Sequence, residues 1–97
     1  MANNLHISYD LKNPGQTYPK VIAAIQQMGG WAKIQYSYWY VATSLTAEQA
    51  RNVLLSFIDD NDSLYVVDAK NNEAAWHNLS PEVESFIRDK WNIKKAA

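Results

Sequence analysis

The stretch Leu5-His6-Ile7-Ser8-Tyr9-Asp10 alternates strictly. Leu5, Ile7 and Tyr9 fall on one face, and His6, Ser8 and Asp10 on the other. That is the period of a half-buried β-strand. Downstream, Asn13-Pro14-Gly15 carries the residues that break regular structure, and the reading places a polar loop up to about Tyr18. From Pro19 the period changes. Proline suits the first turn of a helix, and Val21, Ile22, Ile25 and Met28 follow at three- and four-residue spacing. Gly29-Gly30 is expected to end that helix through a left-handed glycine cap.

Residues Trp31 to Thr43 are rich in aromatic and β-branched side chains and too long for one strand. Split near Tyr36-Ser37, they give two strands, with Ile34, Trp39 and Val41 as the expected core positions. Thr46-Ala47-Glu48-Gln49 is a capping box, in which the threonine hydroxyl and the glutamine amide satisfy free backbone groups. Ala50, Val53, Leu54, Phe57 and Ile58 continue it as the buried stripe of a second helix. Asp59-Asp60-Asn61-Asp62 reads as a solvated turn. Leu64 to Asp68 is a short apolar strand, and Ala74 to Leu79 a marginal fifth one. Ser80-Pro81-Glu82 starts a third helix, with Val83, Phe86, Ile87 and Trp91 expected to face inward and Ala96-Ala97 to fray.

The order is β-α-β-β-α-β followed by an extension. The simplest packing is an α+β, ferredoxin-like sandwich: an antiparallel sheet with its helices on one face, plus a C-terminal third helix. Residues 1–97 form a single domain, with a core over about 4–68 and an extension over 74–95. The other sheet face then needs cover from the third helix or from a second copy of the chain.

Composition narrows the function classes. Hydrophobic residues make up 47% and charged residues 20%, a globular balance rather than a disordered one. The chain has no cysteine, so neither a disulfide nor a thiolate metal site can form. No apolar run approaches the ~20 residues that span a bilayer, and no signal-peptide pattern opens the chain; the reading is cytoplasmic, with no membrane partner. A net charge of −1 lacks the basic excess of proteins that grip nucleic acid through phosphates.

Asp10 is the most suggestive single residue, at a strand end with Ser8 and His6 on its face. It can hold a divalent cation through oxygen, or cap the turn that follows. The acidic run at 59–62 lacks the length, central glycine and terminal bidentate acid of a calcium loop. His6 and His77 have no ligand spacing. Trp31, Tyr36, Tyr38, Trp39 and Tyr40 form the densest aromatic group, suited to stacking on bases or to anchoring a protein interface.

Three places carry a resemblance: "ISYDL" at residues 7–11, "KIQYSYWYV" at 33–41 and "IDDNDSLYVV" at 58–67. They resemble, in order and spacing, the small ferredoxin-like subunit of the CRISPR spacer-acquisition complex and, more distantly, the VapD-type ribonuclease toxins. "DLKNPGQ", "GGWAK" and the Ser-x-Trp of Ser37 and Trp39 also resemble stand-alone SinR-like proteins. The resemblance implies a homodimer with packed sheets, and places Asp10, Gln35, Ser37 and Trp39 at family positions. It implies that paired Asp10 residues bind magnesium or manganese, with Ser8 and Ser37 as supporting polar groups in metal-dependent cleavage of RNA or DNA. In the acquisition complex the subunit is a scaffold instead. Two expectations follow: a homodimeric, non-catalytic interaction module, nucleic-acid-associated or protein-binding, with Gln35, Tyr38, Trp39 and Tyr40 at its contact surface; or an endonuclease built on Asp10.

Overall fold

The computed structural model describes residues 2–12, 14–91 and 94–95. Strand β1 (Asn3–Asp10) is followed by helix α1 (Pro14–Gln26), the hairpin β2 (Gly30–Gln35) and β3 (Tyr38–Thr43), and helix α2 (Ala47–Leu55). Then come β4 (Ser63–Asp68), β5 (Glu73–His77), α3 (Pro81–Lys90) and the two-residue β6 (Lys94–Lys95). The sheet order is β2-β3-β1-β4-β5-β6. The first five strands are antiparallel to their neighbours, and β6 pairs with β5 in parallel.

The alternation in β1 does set which face is buried. Leu5, Ile7 and Tyr9 lie opposite Val41 and Trp39 of β3 and Val66 and Leu64 of β4, and all are buried. This inner face is covered by both first helices, α1 against β2 and β3, α2 against β4 and β5. Val21 and Ile25 of α1 and Ala47, Ala50 and Leu54 of α2 complete one core cluster with the strands. Trp39 donates its indole N–H to the Tyr9 hydroxyl at 3.0 Å, so the two largest polar-tipped side chains of the core satisfy each other. The capping box of α2 is formed: Thr46 Oγ1 accepts from the Gln49 N–H at 3.1 Å and Gln49 Oε1 from the Thr46 N–H at 3.0 Å.

Several expectations are corrected. Helix α1 begins at Pro14, not Pro19, so residues read as loop are helical and Pro19 sits inside the helix. An interior proline costs roughly 3 kcal/mol. Burial of Val21 and Ile25, each worth roughly 1.5–3 kcal/mol, offsets it. Asn13 lies outside the described residues, as do Ala96 and Ala97. The glycine cap is absent: neither Gly29 nor Gly30 has a positive φ. Gly29 is needed for space instead, since a Cβ there would collide with the Ala42 carbonyl oxygen.

Ile34 is exposed rather than core: it lies in the edge strand β2, whose residues are all exposed, where the register shifts between Lys33 and Gln35. Trp31, in the same strand, keeps one edge-on contact with Trp39 and is 48% exposed. Helix α2 stops at Leu55, short of Phe57 and Ile58; within it Val53 faces out, and Val53 and Phe57 are both exposed, while Ile58 packs partly against the core. Asp62 is not solvated but fully buried. Helix α3 starts as expected, with Ser80 as cap and Pro81 in its first turn, but buries no residue, and Val83 and Phe86 are 49% and 64% exposed.

The outer face of the sheet carries Asn4, His6, Ser8 and Asp10 from β1, Tyr38 and Tyr40 from β3, Ser63 and Tyr65 from β4, and Trp76 from β5. Helix α3 lies along its β4–β5 side. The Arg88 guanidinium stands over the Trp76 ring at 5.7 Å, and the Trp91 indole donates to Asn72 Oδ1 at 2.9 Å. Among the described residues no helix covers the β1–β3 side, where His6, Tyr38 and Tyr40 are half-buried.

Candidate functional site

Where β1 ends, the outer face and the start of α3 enclose an open groove of about 340 Å³. Ser8, Asp10, Ser63 and Tyr65 form its floor; Asn78, Leu79, Ser80 and Val83 form its wall. Register explains the floor. Ser8 lies opposite Tyr65, and Asp10, two residues on and therefore on the same face, lies opposite Ser63. Asp10 and Ser8 are thus brought together on the groove floor.

The Asp10 carboxylate projects into solvent, with 75% of its side chain exposed, and its nearest cation is Lys12 Nζ at 3.8 Å. A pair this exposed adds little to stability. Rigidity comes from Asp62 instead. Its Oδ1 accepts the Lys12 N–H and its Oδ2 the Asp59 N–H, both at 2.7 Å. One buried carboxylate therefore ties the exit of β1, just after Asp10, to the loop entering β4. The wall is fastened in the same way: Ser63 Oγ donates to the Asn78 carbonyl at 2.9 Å, and Asn78 Nδ2 to the Asp62 carbonyl at 3.3 Å. Asn78 takes a left-handed φ of 62°, which asparagine tolerates.

Ser37 does not join this group. It occupies the β2–β3 turn with φ 61°, shares a 2.9 Å hydrogen bond with the Tyr18 hydroxyl of α1, and accepts the Tyr9 N–H on its carbonyl. Its hydroxyl thus points toward the helix layer. Trp39, expected as an interface anchor as well as a core residue, is 2% exposed and belongs to the core alone. Gln35 is exposed at the end of β2, opposite Tyr38.

The tyrosines of β3 are ordered side by side on the open face. Tyr38 OH lies 2.9 Å from His6 Nδ1, and Tyr40 OH donates to Asn4 Oδ1 at 2.7 Å. The His6 ring sits 5.8 and 5.6 Å from the two phenol rings. Across the groove floor Tyr65 stacks on Trp76 at 6.1 Å. Burial pushes the Tyr65 hydroxyl pKa up, and does the same for Tyr9, where the Trp39 N–H opposes it and Tyr18 adds to it.

Among the described residues no three histidine or acidic side chains converge. Magnesium can be held by one or two carboxylates when waters fill the other positions, so the fit within a single chain rests on Asp10 alone. Tyr65, Trp76, Asn78 and Asp62 were not singled out as site residues from sequence. Only Tyr65 had a signal there, through its alternation within Ser63-Leu64-Tyr65-Val66. A second hollow, about 350 Å³, lies between the ends of α1 and α2 and is lined by Ala24, Met28, Leu45, Val53 and Phe57 among others. It has no ionisable group.

Among the described residues no helix is long and apolar enough to cross a membrane. Compared with protein-family models, curated proteins and solved structures, the chain matches none.

Proposed function

We propose that this chain is a non-catalytic interaction module that works as a homodimer through the open half of its outer sheet face, and that it associates with nucleic acid in that form. One observation carries the reading. With α1 and α2 both on the inner face and α3 on the β4–β5 side, no described helix covers Tyr38, Tyr40 and His6, which are half-buried and held in place by hydrogen bonds, Tyr40 to Asn4 and Tyr38 to His6. Pre-ordered tyrosines of this kind are efficient interface anchors, because little rotamer entropy is lost on contact. The run β4-β1-β3-β2 interleaves two β-α-β halves, which supports the ferredoxin-like reading.

Sedimentation equilibrium tests the dimer. Wild type is expected to self-associate, and Tyr38→Ala and Tyr40→Ala each to weaken association by about tenfold or more, the range of an interface hot spot. A wild-type chain that stays monomeric at high concentration overturns the proposal.

A second reading, a metal-dependent nuclease, is favoured by the exposed Asp10 carboxylate beside Ser8 in the groove. A second copy of the chain would supply a second Asp10. The metal would activate water and neutralise charge on the phosphate. Labelled RNA and DNA, incubated with magnesium or manganese and with chelator, decide it: cleavage must need both the metal and Asp10. Equal cleavage by wild type and Asp10→Ala removes this reading.

A further inference from the structure

The groove at the end of β1 differs in kind from the flat tyrosine face beside it. It is concave, and its volume of about 340 Å³ is at the lower end of small-ligand sites. Of the ten described residues that line it, Asp10 is the one carboxylate and none is a lysine, arginine or histidine. The other polar groups on the wall are already engaged: Asn78 through both its carbonyl and its amide, and Ser80 as the cap that accepts the Val83 N–H. On the floor, the Tyr65 ring is braced from behind by Trp76, which is itself held under Arg88. Leu79 and Val83 give the wall an apolar lip.

We propose that this groove binds a small organic cation: an amine, amidine or guanidine carried on a planar apolar body. The cationic head pairs with Asp10, and the body lies between Tyr65 and the Leu79–Val83 lip. Charge selects against the alternatives. An anion would meet the Asp10 carboxylate, and the positive end of α3 that could attract it is already answered by the Ser80 cap and by Glu82 and Glu84 in the first turn. The Lys12 ammonium is no obstacle. It holds Asp10 only at 3.8 Å, with both side chains largely in water, so a ligand cation can take its place. An aromatic floor adds attraction for the same charge sign. The groove adjoins the proposed dimer face, since Ser8 on its floor lies opposite Tyr38, but it is lined by none of Tyr38, Tyr40 or His6.

The test uses the whole chain and three probes of one shape: tryptamine, its neutral alcohol analogue indole-3-ethanol, and the anion indole-3-propionate. Binding is read by amide chemical-shift titration. Tryptamine is expected to shift Ser8, Asp10, Ser63, Tyr65 and the 78–83 segment saturably, with Kd in the low millimolar range of a fragment this size. The alcohol and the anion are expected to bind about tenfold more weakly or not at all, as is tryptamine with Asp10→Asn. Val83→Trp, which fills the lip, is expected to weaken tryptamine binding about tenfold or more; undiminished binding to this variant also overturns the proposal. Equal affinity for the three indoles overturns the proposal. So does undiminished binding to Asp10→Asn, or shifts centred on Met28 and Phe57 in the other hollow. Absence of saturable shifts from tryptamine up to about 10 mM also overturns it, since a site of this kind holds a fragment within that range.

Discussion

Asp62→Ala removes the carboxylate that fixes the base of the groove, and its cost follows from the geometry. Two backbone N–H groups, from Lys12 and Asp59, lose acceptors that are 2.7 Å away. Hydrogen bonds to a charged acceptor contribute roughly 1.5–3 kcal/mol each. Deleting a buried carboxylate also recovers part of its desolvation cost, and water can reach the partly buried donors, so the net loss is placed at about 3 kcal/mol. With a urea slope of about 1–1.5 kcal/mol/M for a chain of this size, the unfolding midpoint should fall by roughly 2–3 M. The control is Asp60→Ala, an exposed neighbour in the same acidic run, which should stay within about 0.5 kcal/mol of wild type. Amide spectra of Asp62→Ala should also change at Ser8 to Lys12, fifty residues away in sequence. If the two variants melt at the same urea concentration, the pedestal role of Asp62 is wrong and the run is the solvated turn its composition suggests.

Gly29→Ala should destabilise by about 1–3 kcal/mol, because the new methyl meets the Ala42 carbonyl and the β3 backbone must move; a thermal melt unchanged from wild type would contradict the contact. Tyr9→Phe leaves the buried Trp39 N–H without its acceptor and should cost roughly 1–3 kcal/mol in urea unfolding, whereas adding Trp39→Phe to it should cost less than the sum of the two single changes. Tyr65 is held protonated by burial, so the folded state keeps its proton at a pH where the unfolded chain loses it. Stability should therefore fall as pH rises through 10 and above, and Tyr65→Phe should flatten that alkaline decline; an identical slope in the variant would refute the assignment.

What was legible in the sequence is what is decided within a few residues. The alternation of Leu5 to Asp10, the Thr46–Gln49 capping box and the Ser80-Pro81 helix start each depend on neighbours in the chain, and each is found as read. The residues misread are those whose role is set from afar. Gly29 is a glycine because of a carbonyl on β3, and Asp62 is buried because Lys12 needs an acceptor. Ile34 looks like a core residue, but it lies on the edge strand β2 at a register shift and is exposed. Pro19 looks like a helix start because nothing local reveals that Pro14 already serves as one. Asp10 and Ser8 could be paired from the period of one strand. Ser37 could not be separated from them, because its direction is set by a hydrogen bond to Tyr18 on a different layer.

The place of β1 in the sheet also governs when the molecule can form. Its two partners are β3, which begins at Tyr38, and β4, which begins at Ser63, so the strand nearest the start of this chain is completed by one of the later ones. Until β4 docks, Leu5, Ile7 and Tyr9 lack half their cover and Asp10 lacks Ser63 opposite it. Pairings this remote are entropically expensive to close and slow the search for the native state. The β2–β3 hairpin and α2 can assemble early, but the groove exists only after the last of the central strands has arrived. Its binding capacity is therefore a late event in folding, and recovery of binding should lag behind recovery of helix signal when the unfolded chain is returned to native conditions.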